Sequence, residues 1–242
     1  MSHSDEENQT PDPLVIAYEA NKGNLDWAVR EISRRTDTNE NGETTLLFIK
    51  YTVKVGNEGF KLIGQLKHLE SLDATDAALT NAGVEPLGKL AHLRELILDI
   101  TEVGDDGLQF LSKSHSLRRL SLSATRVSDP GLVFISKLHN LESLDLSSTN
   151  VTHQGLEFIQ GLTKLTNLDL GENGIRDDGM RYLRKLRNLQ SLTLNYNRLT
   201  DAGAALLKGF DNMKFLNLKG NHIGDRTIAG LIESMPRATI NT

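Results

Sequence analysis

Four histidines recur in two pairs spaced 24 residues apart, and imidazole is a common ligand of transition metals. His68 and His92 form one pair, and His115 and His139 form the other. If each pair lies on neighbouring repeats about 5 Å apart, its two rings could share a metal ion. No Asp, Glu or Cys occupies the equivalent positions to complete a set of ligands. We therefore interpret these histidines as structural or surface residues, and expect neither a metal nor a cofactor.

Acidic and basic side chains recur with the same period. Asp105-Asp106 and Asp177-Asp178 carry the oxygen ligands that Ca²⁺ prefers, but an Asp before a helical segment is also a typical N-cap, and we favour capping. A basic stripe comprises Lys89, Lys113, Lys137, Lys185, Arg181, Arg184 and Arg187. The stripe could meet an anionic surface or RNA. Because cations near helix C-termini also interact favourably with the helix dipole, we interpret it as a solvated surface.

The sequence has none of the usual signatures of a catalytic site. It has no cysteine, no H-E-x-x-H motif, no phosphate-binding loop and no nucleophile beside a base. The glycine-containing segment from Gly171 to Gly174 fits a turn between a strand and a short helix. We therefore predict that the protein is not an enzyme, and a hydrolase with an unrecognised site is the alternative.

All these spacings follow from a repeat of 24 residues, a period typical of stacked architectures. One repeat, residues 138–161, has the sequence LHNLESLDLSSTNVTHQGLEFIQG. Seven regular repeats begin at Leu66, Leu90, Ser114, Leu138, Leu162, Leu186 and Phe210. In each one, alternating leucines predict a short strand, and the apolar residues that follow predict a helix of one to two turns. Since every unit runs in the same direction, we expect a parallel sheet.

Three positions between the strand and the helix are nearly fixed. The first is Thr or Asn, which we expect to satisfy backbone groups of neighbouring turns. The second is mostly Asp, which we predict to cap the helix, and the third is Gly, which permits close contact between repeats. The first column is Thr101, Thr125, Thr149, Asn173, Asn197 and Asn221; the second is Asn81, Asp105, Asp129, His153, Asp177, Asp201 and Asp225; the third is Gly83, Gly107, Gly131, Gly155, Gly179 and Gly203.

This pattern, LxxLxxLxLxxT/NxVTDxGLxxLxx, resembles that of the leucine-rich repeat family over about residues 46–242. It is similar to short bacterial T-D-x-G-L repeats and to F-box-associated and ribonuclease-inhibitor-like repeats, to which residues 197–203 come closest. The resemblance implies an α/β fold: a right-handed solenoid, or horseshoe arc, with a parallel sheet on the concave face and short helices on the convex face. It also implies protein recognition rather than catalysis. No F-box pattern precedes the repeats, so a role in ubiquitin ligation is not implied.

The outward-facing residues of the strands are not dictated by packing, and they form the predicted partner site. Acids outnumber bases among them, and several are apolar or aromatic, the type enriched in interface hot spots. The predicted partner-binding residues are Asp73, Glu95, Ile97, Asp99, Ile100, Arg119, Ser121, Asp145, Asp169, Thr193, Tyr196, Phe215 and Asn217. The sequence therefore predicts a protein or peptide partner of basic character. An effector or regulatory adaptor that acts through its N-terminal cap is the alternative.

The chain divides into three predicted segments. Residues 1–13 form an acidic, polar tail that we expect to be disordered. Residues 14–43 are predicted to be a helical cap and a polar loop, with Leu25, Val29 and Ile32 closing the open end of the first repeat. Residues 44–242 contain one degenerate repeat, the seven regular repeats and a terminal strand in the segment MPRATINT.

Composition and the terminal segments limit the partners and the cellular location that we expect for the protein. The 242 residues are 38% hydrophobic and carry a net charge of −5, which argues against nucleic acid as a partner. No apolar run reaches the roughly 20 residues of a membrane helix, and the N-terminus lacks the pattern of a signal peptide. We expect a cytoplasmic monomer that binds neither nucleic acid nor membrane, although the open strand edge at Ile240 could pair with a second copy.

Overall fold

The computed structural model describes residues 11–242, whose strands form one ten-stranded sheet with the same order in space as in the chain. The strands are β1 (Ser33–Thr38), β2 (Thr44–Ile49), β3 (Ser71–Asp73), β4 (Glu95–Ile97), β5 (Arg119–Ser121), β6 (Ser143–Asp145), β7 (Asn167–Asp169), β8 (Ser191–Thr193), β9 (Phe215–Asn217) and β10 (Thr239–Asn241). The helices are α1 (Pro13–Ala20), α2 (Leu25–Ile32), α3 (Asn57–Ile63), α4 (Asn81–Val84), α5 (Asp105–Leu111), α6 (Leu132–Ile135), α7 (Leu156–Ile159), α8 (Met180–Leu183), α9 (Asp201–Ala205) and α10 (Asp225–Ser234). Short 3-10 helices cover Leu87–Lys89, Asp129–Gly131 and Asp177–Gly179. The predicted parallel sheet alternating with short helices is confirmed from β2 onward.

One continuous core runs through the repeats. Leu96, Leu120 and Leu144 occupy equivalent places on adjacent strands in register, and each is buried. On the helix side, Leu156 and Ile159 of α7 are buried as predicted. Neighbouring strands lie about 4.8 Å apart, whereas packed helices need about 8–10 Å. The stack must therefore curve toward its sheet. We call the outward surface of the strands the sheet face, and that of α3–α10 the helix face.

The asparagines of the Thr/Asn column link the turns of neighbouring repeats, as predicted, whereas the hydroxyls of Thr101 and Thr125 do not. The side-chain amide of Asn173 donates to the carbonyl of Leu146 in the preceding repeat (2.7 Å) and to that of Leu170 in its own (3.2 Å). The hydroxyl of Thr125 donates only within its own repeat, to the carbonyl of Leu122 (2.6 Å). Asparagine thus connects two repeats, whereas Thr125 satisfies only its own turn; the hydroxyl of Thr149 reaches the next repeat where an asparagine oxygen is there to accept (3.1 Å).

The Asp column does not cap the helices, and that prediction is wrong. One carboxylate oxygen of Asp105 accepts from the backbone N–H of Ser128 in the next repeat (2.8 Å), and the other accepts from the Ser128 hydroxyl (2.5 Å). Asp129 accepts from Thr152 in the same way, at 2.8 and 2.6 Å. Each Asp is the first residue of its own helical segment, so its side chain extends sideways to the neighbouring turn instead of backward over its own N–H groups.

The glycine column makes room for these carboxylates. A Cβ on Gly131 would overlap the carboxylate of Asp105, and one on Gly155 would overlap that of Asp129, so the predicted close contact is confirmed. His153 interrupts the Asp column, and its buried Nδ1 has no hydrogen-bond partner in residues 11–242. The link between repeats is therefore incomplete at this one step of the column.

The N-terminal segment contains a hairpin that the sequence analysis missed. Both helices are present, with Val29 and Ile32 buried and Leu25 half-buried. The residues after them, which we predicted to be the end of the cap and a polar loop, include β1, which pairs with β2 in antiparallel orientation. The sequence of β1, SRRTDT, has no apolar alternation, so its strand conformation depends on pairing with β2. The predicted boundary at residues 43 and 44 therefore divides a hairpin.

Part of the predicted disordered tail is ordered. Asp12 caps α1 by accepting from the backbone N–H of Leu14 (2.9 Å), and it also accepts from the N–H groups of Gly56 (2.6 Å) and Gly59 (3.0 Å). Asp12 thus links the N-terminal segment to the degenerate repeat, just as Asp105 links its repeat to the next one. The rest of the predicted tail, residues 1–10, lies outside the described residues.

The C-terminal strand follows the prediction. Thr239–Asn241 pair in parallel with Phe215–Asn217, and the amide of Leu218 donates to the carbonyl of Asn241 (2.7 Å). In the described chain, β10 is therefore the last strand of the sheet, and its outer edge faces away from the protein.

Candidate functional site

The register of the sheet aligns the outward residues in columns, as the repeat spacing predicted. The first column is Leu46, Ser71, Glu95, Arg119, Ser143, Asn167, Ser191, Phe215 and Thr239, and the middle column is Phe48, Asp73, Ile97, Ser121, Asp145, Asp169, Thr193, Asn217 and Asn241. The predicted residues of these two columns therefore share one surface. Asp99 lies two positions beyond Ile97, and Ile100 and Tyr196 lie in the turns at the edge of this surface.

Three half-buried aspartates occupy the centre of the sheet face. Asp99 accepts from the hydroxyl of Ser121 (2.6 Å) and the amide of Ser123 (3.0 Å). Asp145 and Asp169 each accept from the amide two residues ahead, both at 2.8 Å. None of the three forms an ion pair within residues 11–242. Their negative charge is held in place by neutral donors and is not compensated by a cation.

The surroundings of Asp99 and Asp169 disfavour their charged forms. Burial raises the pKa of Asp99 above its usual value, hydrogen bonds from Ser121 and Ser123 oppose the rise, and repulsion from Asp145 adds to it. Burial also raises the pKa of Asp169, against the hydrogen bond from its neighbouring amide and with repulsion from Asp145. A cation brought to this surface would stabilise both carboxylates.

Asp73 belongs to the same column, but it is not available to a partner. Its side chain is buried, forms an ion pair with Arg34 of β1 and accepts from the hydroxyl of Thr75 (2.6 Å). We therefore correct its predicted role: Asp73 connects the hairpin to the first regular repeat. The error follows from the missed hairpin, because β1 supplies the arginine.

The N-terminal end of the sheet face carries aromatic and basic residues that the sequence analysis did not select. Phe48 continues the middle column, and the guanidinium of Arg34 lies 5.2 Å from its ring centre and 4.6 Å from that of Tyr51. Arg35 lies 5.8 Å from the Phe48 ring. The alternation of Leu47 and Ile49 with outward residues was the signal that could have identified Phe48. Both arginines are paired with carboxylates, Arg34 with Asp73 and Arg35 with Asp37, so this end of the surface is aromatic with balanced charges, whereas the centre is negative.

Two of the predicted residues are exposed apolar side chains in a strained backbone conformation. Ile100 (58% exposed) has φ 57°, and Tyr196 (51% exposed) has φ 50°. A positive φ is uncommon for a non-glycine residue and unfavourable for a β-branched one. The same turn position is left-handed throughout the stack, from Asp76 to Gly220, and the Tyr196 ring lies against Gly220. The turn therefore fixes the backbone, but it does not require an isoleucine or a tyrosine.

The remaining predicted residues complete the surface. Glu95 accepts from the hydroxyl of Ser71 (2.8 Å) and lies 3.7 Å from the exposed guanidinium of Arg119. The others are half-buried members of the columns: Ile97, Ser121, Thr193, Phe215 and Asn217.

The first pair of histidines lies side by side on the protein surface. The rings of His68 and His92 are stacked, with centres 6.2 Å apart, and Nε2 of His68 lies 3.2 Å from a carboxylate oxygen of Glu43. Glu43 is a potential ligand that the column analysis did not find, because it lies in the hairpin turn. Within residues 11–242, no group of three or more His, Cys, Asp or Glu side chains is arranged so that it could hold a metal ion. Within the same residues, no helix is long and apolar enough to span a bilayer.

Comparison with known proteins identifies the architecture. A family model described as a leucine-rich repeat region matches residues 45–238. The fold is similar to that of internalin C2 from Listeria monocytogenes, with a TM-score of 0.68 and 23% identity, over 96% of this chain and 93% of that one. It is also similar to an internalin, inlF, from the same organism, with a TM-score of 0.61 and 21% identity, over 81% of this chain and 60% of that one. No curated protein sequence matches significantly. At these identities the two structures establish the fold alone.

Proposed function

The chain belongs to the leucine-rich repeat family, and from this premise we propose that its sheet face binds a protein or peptide with a basic segment. Members of the family typically act as non-enzymatic interaction scaffolds, which supports an interaction module in general. The observation that carries the finer proposal is the central group of Asp99, Asp145 and Asp169, which has no compensating cation in the described chain.

Exposed apolar side chains flank this acidic centre and supply the anchors. Ile100 and Tyr196 lie four repeats apart, which corresponds to about 19 Å at the spacing of neighbouring strands. Buried aromatic and aliphatic anchors contribute most of the affinity of an interface, whereas charge complementarity sets the association rate and the specificity. A basic segment with an apolar residue toward each end would match this order of charge and apolar surface.

Charge reversal at the centre of the sheet face tests the proposal. Asp145→Arg combined with Asp169→Arg should reduce capture of the native partner by at least tenfold, because attraction becomes repulsion. The partner would be identified by affinity capture and mass spectrometry, then purified and titrated. Asp106→Arg with Asp178→Arg is the matched control, since it changes the net charge equally on the helix face. Equal binding by both double variants would show that the partner does not use the sheet face.

Exposed apolar residues on the N-terminal helices favour a second candidate, an adaptor that acts through this end of the chain. Ile16 of α1 and Trp27 of α2 are both exposed, and the guanidinium of Arg30 lies 5.2 Å from the Trp27 ring. Deletion of the N-terminal segment is a poor test, because it removes Arg34 and β1 from the sheet. Ile16→Ser with Trp27→Ser leaves the hairpin intact. Loss of partner capture in this variant, with normal capture by the Asp145→Arg variant, would favour the second candidate.

A further inference from the structure

The helix face carries an aromatic column that the sequence analysis did not select. Phe110, Phe134, Phe158 and Tyr182 occupy the same position of four consecutive repeats, on or beside α5–α8. Phe110 is 37% exposed and Phe158 41%, and Val133 beside them is 39% exposed. Exposed phenylalanines two repeats apart, with the half-buried Phe134 between them, are unusual, because the stacking of the helices requires only the leucines and isoleucines beneath them.

Basic residues follow the aromatic residues at a spacing of three. Lys113, Lys137 and Lys185 are exposed and make no ion pair in residues 11–242, whereas Lys89 at the same position pairs with Glu85 (2.8 Å). The Lys137 ammonium lies 5.7 Å from the ring centre of Phe134, so the lysine and the aromatic side chain of this repeat are adjacent on the surface. We define the helix-face stripe as Phe110, Lys113, Val133, Lys137, Phe158 and Lys185.

The position of the helix-face stripe suits a flat partner. It lies on the middle repeats of the stack. Because the stack curves toward its sheet, these repeats form the most protruding part of the convex helix face. A flat partner would contact this protruding part first, and a convex surface offers no groove for the backbone of a peptide. Phenylalanines beside lysines are the composition with which peripheral helices bind the boundary between lipid head groups and acyl chains.

We propose that the helix-face stripe is a peripheral docking site for an anionic lipid surface. The lysines meet the phosphate and carboxylate groups of the lipids, and the exposed parts of the Phe110 and Phe158 side chains enter the head-group region. The sequence analysis predicted no membrane partner partly because no segment can span a bilayer, but peripheral contact needs no such segment. Single-stranded RNA is less favoured, because the half-buried Phe134 carries the Lys137 ammonium and the exposed Phe110 and Phe158 lie two repeats apart. Successive bases would therefore find no continuous row of free rings.

The acidic sheet face does not prevent this contact. It lies on the opposite side of the stack from the helix-face stripe, and charges in water are screened beyond about 8–10 Å at physiological ionic strength. The net charge of −5 is therefore not the charge that an approaching membrane meets. Instead, the membrane meets the helix side of the middle repeats, where the exposed bases Lys113, Lys137, Arg181, Arg184 and Lys185 outnumber the exposed acids Asp106, Glu157 and Asp178.

Binding to vesicles tests the proposal. The full chain is mixed with phosphatidylcholine vesicles with or without phosphatidylserine, at about 0.1 M salt, and the bound fraction is measured by flotation. We expect binding only when phosphatidylserine is present. Each lysine at an anionic surface contributes about fivefold to the partition, so Lys113→Glu with Lys137→Glu should weaken binding by at least about 25-fold. Phe158→Ser should weaken it severalfold without altering charge.

The matched control is Lys67→Glu with Lys214→Glu, which makes the same change in net charge at exposed residues outside the helix-face stripe. This control should bind vesicles nearly as tightly as the wild-type protein. Circular dichroism is used to check that every variant is folded. Three results would overturn the proposal: equal affinity for both vesicle types, equal binding by the two lysine variants, or stripe-dependent binding to single-stranded poly(U) but not to vesicles. Unchanged binding by a folded Phe158→Ser protein would show that the Phe158 side chain does not enter the head-group region.

Discussion

Replacement of Asp129 by alanine tests the role of the Asp column in joining repeats. The carboxylate of Asp129 accepts from the backbone N–H and the hydroxyl of Thr152, at 2.8 and 2.6 Å. Alanine removes both bonds and leaves a half-buried N–H group without an acceptor. Hydrogen bonds to charged groups contribute about 1.5–3 kcal/mol each when well shielded, and this site is half-exposed. We therefore expect a loss of about 2–3 kcal/mol in the free energy of unfolding.

Asparagine at the same position separates geometry from charge. The amide oxygen of Asn81, one repeat before Asp105, accepts from the backbone N–H of Gly104 at 2.7 Å, so asparagine fits the position. Asp129→Asn should therefore keep the backbone bond and cost about 1 kcal/mol or less. Asp106→Ala is the control, since Asp106 is exposed and makes no hydrogen bond in the described chain.

Urea denaturation followed by circular dichroism at 222 nm measures these differences, and a constant m value would show that the exposed area of unfolding is unchanged. For a chain of this size the alanine variant should also unfold about 5–10 °C lower. The reasoning fails if Asp129→Ala is no more destabilising than Asp106→Ala. It also fails if alanine and asparagine cost the same, because the acceptor would then contribute nothing.

Three further predictions follow from single sites. His153→Asp should stabilise the protein by about 1 kcal/mol in urea denaturation, because it replaces an unpaired buried nitrogen with the acceptor used in other repeats; a decrease in stability would contradict the role of the Asp column. Asp169→Asn should be more stable than wild type at neutral pH: the raised folded pKa makes wild-type stability fall as pH rises through the interval between the unfolded and folded pKa values. This advantage should disappear below the ordinary aspartate range, and a pH-independent difference would refute the cause. Arg34→Ala should cost about 2–3 kcal/mol, since it leaves Asp73 buried and charged; Asp73→Asn in the same chain should restore part of the loss, and no recovery would rule out the unpaired charge as the reason.

The proposed partner site was identified partly from the repeat spacing of the sequence and partly from the tertiary structure. Repeat spacing placed Asp99, Asp145 and Asp169 on one face, because a 24-residue period and a strand period of two leave no other arrangement. Spacing did not reveal that Asp73 is neutralised by Arg34, because that contact joins residues 39 positions apart through a strand with no sequence signal. Without Arg34, the N-terminal end of the sheet face looked acidic, whereas its charges are paired and its exposed rings are aromatic.

The sequence alone determined the parallel sheet, the buried leucine columns, the Thr/Asn links and the close glycine contacts. Each depends on residues at fixed offsets within one repeat, and stacking copies them along the chain. Only the tertiary structure decided the direction of the Asp side chains, the pairing of β1 with β2 and the place of Asp12 beside Gly56. These contacts join different repeats or non-repetitive segments, where each carboxylate accepts from the backbone N–H group that lies nearest to it in space. The period of a sequence cannot encode that choice.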